Sequence, residues 1–181
     1  VSARSQEYGG GDRECQGDRV RPGSEPVRIV HLHATPPREG DEIPVHEAAA
    51  EFLAAGDDRT TAANWYNAEM APLDVDTRIQ GRHHTIDFMG RAIHALHCPG
   101  HTPGSVVYWL DSDGLRVVFA QDVHGPLNSA FRSNTLDYQA SLKRLLALEA
   151  DVLCEGHFGV FRGKRSAARF IRQFISPKPA D

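Results

Sequence analysis

The sequence has no apolar stretch long enough to cross a bilayer. Its longest apolar runs, such as residues 106–110, fall far short of the roughly 20 residues that a transmembrane helix needs. The N-terminal residues have no apolar core of the kind a signal peptide carries. Runs of Lys and Arg are missing as well. Acids outnumber bases 24 to 20, for a net charge of −4, which gives no electrostatic reason for nucleic-acid binding. Cysteine is scarce. Cys15, Cys98 and Cys154 are odd in number and widely spaced, which argues against a disulfide framework and fits a reducing, cytoplasmic setting. What remains is ordinary for one globular domain with a sizeable core: 181 residues, 40% hydrophobic and 24% charged. Histidine is the exception, with ten residues.

Residues 1–26 stand apart. They hold five glycines, nine charged residues and only four large apolar or cysteine side chains, Val1, Tyr8, Cys15 and Val20. Such a stretch cannot bury enough surface to offset its ordering entropy, so a disordered tail is expected there and a folded domain over 27–181. The first residue is Val rather than Met, which fits a chain incomplete at its start.

The apolar spacing then predicts the elements. A short strand is expected at 27–32. A helix follows at 45–55, with Val45, Ala49, Phe52 and Leu53 on one face and Gly56 at its C-terminal cap. A weaker helical pattern spans 60–70. Strands are expected at 85–88, 91–97, 106–110 and 115–120, the last two joined by the turn Asp111-Ser112-Asp113-Gly114. Helical spacing returns at 138–148, a short buried strand at 151–154 and an amphipathic helix at 164–175.

Three loops that follow expected strands carry metal-capable side chains. The first is His97-Cys98-Pro99-Gly100-His101-Thr102-Pro103-Gly104-Ser105, where two Pro-Gly pairs stiffen the chain around one imidazole. The second is Ala120-Gln121-Asp122-Val123-His124-Gly125, and the third is Cys154-Glu155-Gly156-His157-Phe158-Gly159. A single loop histidine is usually only solvated or hydrogen-bonded. Three glycine-flanked loops at strand ends are much harder to obtain by accident. With the strands in one sheet and their ends aligned, His101, Asp122 and His157 converge on one edge. Imidazole and carboxylate suit Zn2+, Fe2+ or Mn2+.

The His97–Ser105 segment resembles the HxPGHTPGS motif of the metallo-β-lactamase superfamily, in the branch that includes glyoxalase-II-like (hydroxyacylglutathione hydrolase-like) enzymes. Phe119-Ala120-Gln121-Asp122 is similar to the segment that supplies the family's bridging aspartate, and Glu155-Gly156-His157 to its late GH motif. The order and spacing agree, and the resemblance covers roughly residues 42–175. It implies an α/β fold, the family's αββα sandwich of two face-to-face sheets. It implies that His101 is a ligand of a first metal, that Asp122 bridges two metals and that His157 is a ligand of the second. The activity it implies is hydrolysis by a metal-activated water.

The family's HxHxDH motif is not intact here. The nearest segment, Ile29-Val30-His31-Leu32-His33-Ala34-Thr35-Pro36, keeps HxH but has Thr and Pro where Asp and His belong. His31 and His33 are therefore the remaining metal candidates, at most one ion is expected to bind well, and part of the first sheet is expected to be missing. Either the chain is a divergent member, or residues 1 to about 40 are not the native family segment.

His124 is a candidate for the catalytic site beside Asp122, as a hydrogen-bond donor around the metals or a substrate contact. His97 reads as structural, His46 as a helix cap, His83 and His84 as solvated turn residues and His94 as strand surface. Cys98 and Cys154 read as small buried hydrophobes rather than ligands. Trp65, Tyr66, Met70 and Pro72 read as helix packing; the resemblance also allows them to overhang the site. The function expected from the resemblance is hydrolysis of a small-molecule thioester or ester in the cytoplasm, with lactones a further option and no nucleic-acid or membrane partner. The alternatives are a catalytically inactive or incomplete member, and a mononuclear iron enzyme like the persulfide dioxygenases of the same superfamily.

Overall fold

A computed structural model of the chain describes residues 44–75, 77–88 and 90–175. The expected tail at 1–26, the strand at 27–32, and His31 and His33 lie outside the described residues. In chain order the elements are β1 (Pro44–His46), α1 (Glu47–Ala54), a 3-10 turn (Ala63–Tyr66), β2 (Thr77–Ile79), β3 (His83–Phe88), β4 (Arg91–His97), β5 (Val106–Ser112) and β6 (Leu115–Phe119). A second 3-10 turn (Ser129–Phe131), α2 (Thr135–Ala147), β7 (Val152–Glu155), β8 (Gly159–Arg162) and α3 (Lys164–Ile175) complete them.

Period-two alternation makes β5 a two-faced strand. Val107 joins a core with Val118, Leu142, Leu145, Leu153 and Phe170, which seats α2 and α3 on one face of a six-stranded sheet ordered β3-β4-β5-β6-β7-β8. Val106 and Tyr108 turn to the other face, where Val106 meets Ile79 of β2 and Ala95 of β4. There β1 and β2 form a parallel pair, tied on by the Tyr108 hydroxyl, which donates to the Pro44 carbonyl at 3.2 Å. The outermost layer is α1, whose Leu53 packs on Val45 of β1. The layers thus run helix, sheet, sheet, helix, as the resemblance implies. Val118 and Leu153 are fully buried, and each such side chain contributes roughly 1.5–3 kcal/mol of hydrophobic stabilisation.

Local chemistry explains where the elements depart from expectation. The helix expected at 45–55 starts at Glu47, because His46 is extended and its Nδ1 accepts the Ala48 backbone N–H. The helix expected at 60–70 shrinks to Ala63–Tyr66. Asp57 takes the backbone N–H groups of Arg59 and Thr60, Asp58 takes that of Met70, and Ala62 and Asn67 are left-handed. Side chains compete there with the helical ladder. His83 and His84 open β3 rather than sitting in a turn. The strand β8 was not expected at all, since its four residues show little apolar alternation.

The strand directions bring the candidate loops together. β4 and β6 each run antiparallel to β5, and β6 runs parallel to β7. The C-terminal ends of β4, β6 and β7 therefore share one edge of the sheet, the edge where open α/β sheets bind ligands. Among the described residues, no helix is long and apolar enough to cross a membrane.

Candidate metal centre

The His101 loop is held through its own carbonyl groups. Ser141 Oγ donates to Pro99 O at 2.7 Å, the Asn134 backbone N–H to Gly100 O at 2.9 Å and Ser133 Oγ to His101 O at 2.6 Å. His97 Nε2 lies 2.8 Å from Pro103 O, and the Cys98 N–H reaches Ser105 O at 2.8 Å. The two glycines of the motif are steric necessities. A Cβ on Gly100, whose φ is +139°, would fall on the Tyr138 backbone of α2, and one on Gly104 would fall on Ala49 of α1. The loop is thus clamped between helices from opposite layers.

The next loop leaves β6 through Gln121, a non-glycine residue at φ +48°. The Ala120 N–H donates to Cys154 O at 2.9 Å, and the Gly156 N–H to Gln121 O at 3.0 Å, so the loops after β6 and β7 are tied backbone to backbone. The Tyr138 hydroxyl donates to Val123 O from α2, and burial together with the nearby Glu155 carboxylate pushes that hydroxyl's pKa up.

These constraints gather the expected residues. His101 Nε2 lies 3.2 Å from Asp122 Oδ2, and His157 Nε2 lies 3.1 Å from Asp122 Oδ1. Each oxygen of the buried carboxylate faces one imidazole. His101 Nδ1 is 2.9 Å from Pro126 O, which can only accept, so Nδ1 carries the ring proton. A neutral His101 ring then turns the Nε2 lone pair toward an anionic oxygen. That juxtaposition is repulsive unless the ring gains a second proton or a cation lies between the two atoms. The donor set, two imidazole nitrogens around one carboxylate, fits a divalent first-row metal.

Two further groups join the site. Donor atoms of Asp122, His124 and Glu155 all lie within 4.8 Å of one another. Two buried carboxylates so close together make the pocket favourable to a cation. His124 Nδ1 is 2.7 Å from Glu155 Oε1, and the His124 ring packs edge-on to His157 and Phe158 at 5.1 and 4.9 Å. Burial would raise the Glu155 pKa, but hydrogen bonds from His124 and from the backbone of Phe158 and His157 outweigh it and hold the carboxyl below its usual value. Glu155 lies within the Glu155-Gly156-His157 segment and has no expected role from sequence. The only sequence signal for it was its place at a strand end, two residues before His157.

The other candidates fall outside the cluster. His97 stacks on His46 with ring centroids 3.5 Å apart, and the His46 Nε2 donates to Gly81 O at 3.1 Å, so this pair stitches the two sheets. Cys98 is buried in the core beside α2, and burial pushes its thiol up to about 11, in keeping with a small buried hydrophobe. Trp65 is half exposed and leans on Phe131, which in turn packs against His101 at 5.4 Å. It belongs to the Ala63–Tyr66 3-10 turn, with about half of its surface left exposed.

A sequence model of the Metallo-beta-lactamase superfamily matches residues 21–157. The human acyl-coenzyme A thioesterase MBLAC2 is 29% identical over 191 residues, covering 91% of this chain and 66% of its own length. Among solved structures, the HARLDQ-motif metallo-beta-lactamase of Cronobacter sakazakii matches with a TM-score of 0.60 at 21% identity, over 75% of this chain and 60% of that one. A Sulfolobus tokodaii metallo-beta-lactamase superfamily protein matches with a TM-score of 0.54 at 17% identity, over 77% and 60%. At these identities the structures share the fold. The chain spans less than two thirds of the length of each of these relatives.

Proposed function

Because this chain belongs to the metallo-beta-lactamase superfamily, we propose that it is a metal-dependent hydrolase of thioesters or esters. One observation carries the reading: two imidazole Nε2 atoms bracket the buried Asp122 carboxylate at 3.2 and 3.1 Å. His101, Asp122 and His157 are the proposed metal ligands, with His31 and His33 as further donors on the His101 side. Zinc is the ion we favour, with iron or manganese as the other choices, and at most one ion bound tightly. A divalent cation at this position supplies Lewis-acid polarisation of a carbonyl and a water acidic enough to attack near neutral pH.

The chain's own residues do the rest. Asp122 orients the attacking water, and the backbone bonds of the three loops hold its carboxylate still. His124 stands beside it, three-quarters or more shielded, as a contact for the substrate. Water oxygen adds to the acyl carbon, the carbon–sulfur or carbon–oxygen bond breaks, and the thiol or alcohol leaves with a proton. Likeness to an acyl-coenzyme A thioesterase favours the thioester. The buried, free thiol of Cys98 fits the cytoplasmic setting proposed from the sequence.

The test is thiol release from acyl-coenzyme A and other small thioesters by the metal-loaded chain. The reading expects release that stops on chelation, returns on adding metal back and is absent in Asp122→Asn. Release that survives chelation, or none from the loaded chain, would overturn it.

A further inference from the structure

Glu155 ends β7, and its side chain is completely shielded from solvent. Its two oxygens serve two different loops. Oε1 lies 2.7 Å from His124 Nδ1 and 3.5 Å from the His124 backbone nitrogen, both in the loop after β6. Oε2 accepts the backbone N–H groups of His157 at 2.8 Å and Phe158 at 2.7 Å, in the loop after β7. Capping its own turn is a common local use of a carboxylate. Reaching across to the imidazole of the neighbouring loop goes beyond that use. An ionised carboxylate only accepts, so the shared proton belongs to His124 Nδ1. In its neutral form the ring then carries its lone pair on Nε2. An imidazole held in this way by a carboxylate is oriented and made a better donor.

We infer that Glu155 is the positioning residue of this site: it fixes His124 as the Nδ1–H tautomer, making His124 Nε2 an additional donor for a divalent cation beside Asp122, and it locks the His157 loop to the Asp122 loop. On the His157 side the resemblance implies only two ligands in this chain, Asp122 and His157. His124 supplies the third. The donor part rests on the metal reading proposed above, whereas the tautomer and the loop lock do not.

Two measurements on the full chain test it. The first uses 15N-labelled imidazole NMR on the metal-free protein. His124 is expected as the Nδ1–H tautomer, with slow exchange of the His157 and Phe158 amide protons. An Nε2–H tautomer, or fast exchange of those amides, would overturn the inference whether or not metal binds. The second is Zn2+ affinity by chelator competition. Glu155→Gln keeps the shape but cannot accept from both loops, and His124→Ala removes a mostly shielded ring that lies outside the hydrophobic core clusters. Each is expected to weaken Zn2+ binding by about 10- to 100-fold, the usual cost of losing an outer carboxylate or a ligand. Affinity within twofold of wild type in His124→Ala would overturn the donor role. A wild-type chain that binds no Zn2+ would overturn the donor role and the metal reading together, and the NMR result would still decide the tautomer and the lock.

Discussion

The histidines of the β3–β4 hairpin and those at the strand ends sit on the same sheet and are held in different ways. His83 and His94 lie on the strand surface with ring centroids 5.4 Å apart, and His94 stacks on Trp109 at 3.9 Å. The side-chain partner of His94 is the Thr85 hydroxyl at 3.1 Å. At the strand ends, His101 and His157 face the two oxygens of one buried aspartate, and His124 faces a buried glutamate. Histidine density alone therefore does not make a metal site. What sets the candidate site apart is a buried carboxylate between the rings, on loops whose backbone is already committed to other partners.

The sharpest way to break this comparison is to disable each group in turn. Asp122→Asn is expected to lower Zn2+ affinity by at least about 100-fold, since it removes the charge of the proposed shared ligand. The triple variant His83→Ala, His84→Ala, His94→Ala should stay within about twofold, because a surface stack offers no comparable donor set. Chelator competition reads both, and loss of affinity in the triple variant would erase the distinction.

A second contrast concerns glycines. Gly100→Ala should destabilise the chain by roughly 2–4 kcal/mol, from overpacking against α2 together with an unfavourable φ. Gly90→Ala, in the hairpin, meets nothing within 4 Å and should cost only the roughly 1–2 kcal/mol of a left-handed residue. Urea unfolding measures both, and equal losses would show that the His101 loop is not clamped as described.

The smallest expected effect is one of pH. Burial holds the His97 imidazole below its usual pKa of 6.5, despite the Pro103 carbonyl beside it. The unfolded ring therefore takes up a proton more readily than the folded one. The stability this ring contributes is complete above pH 6.5 and is lost as the pH falls below it. His97→Gln should flatten that decline between about pH 7.5 and 5.5. An unchanged slope in urea titrations at the two ends would show that His97 does not titrate as described.

Much of this arrangement was legible in the sequence because the informative residues are local. The Pro-Gly pairs around His101, the apolar strand before Asp122 and the amphipathic pattern of α3 each announce themselves within about ten residues. The convergence of His101, Asp122 and His157 followed from assuming that three strand ends share an edge, and strand order β4-β5-β6-β7 supplies it. Long-range polar contacts left no such signal. The Glu155–His124 pair spans 31 positions, and nothing in either segment names its partner. The failed helix at 60–70 has a similar cause. Asp58 caps a backbone N–H twelve residues away at Met70, and apolar spacing cannot report that.

The most direct test of the central claim is metal stoichiometry by inductively coupled plasma mass spectrometry. The purified chain and its Asp122→Asn variant are each reconstituted with zinc, iron and manganese and freed of loosely bound ions. The account predicts about one ion per wild-type chain and almost none in the variant. A wild-type chain that retains no metal, or a variant that retains as much as wild type, would contradict it.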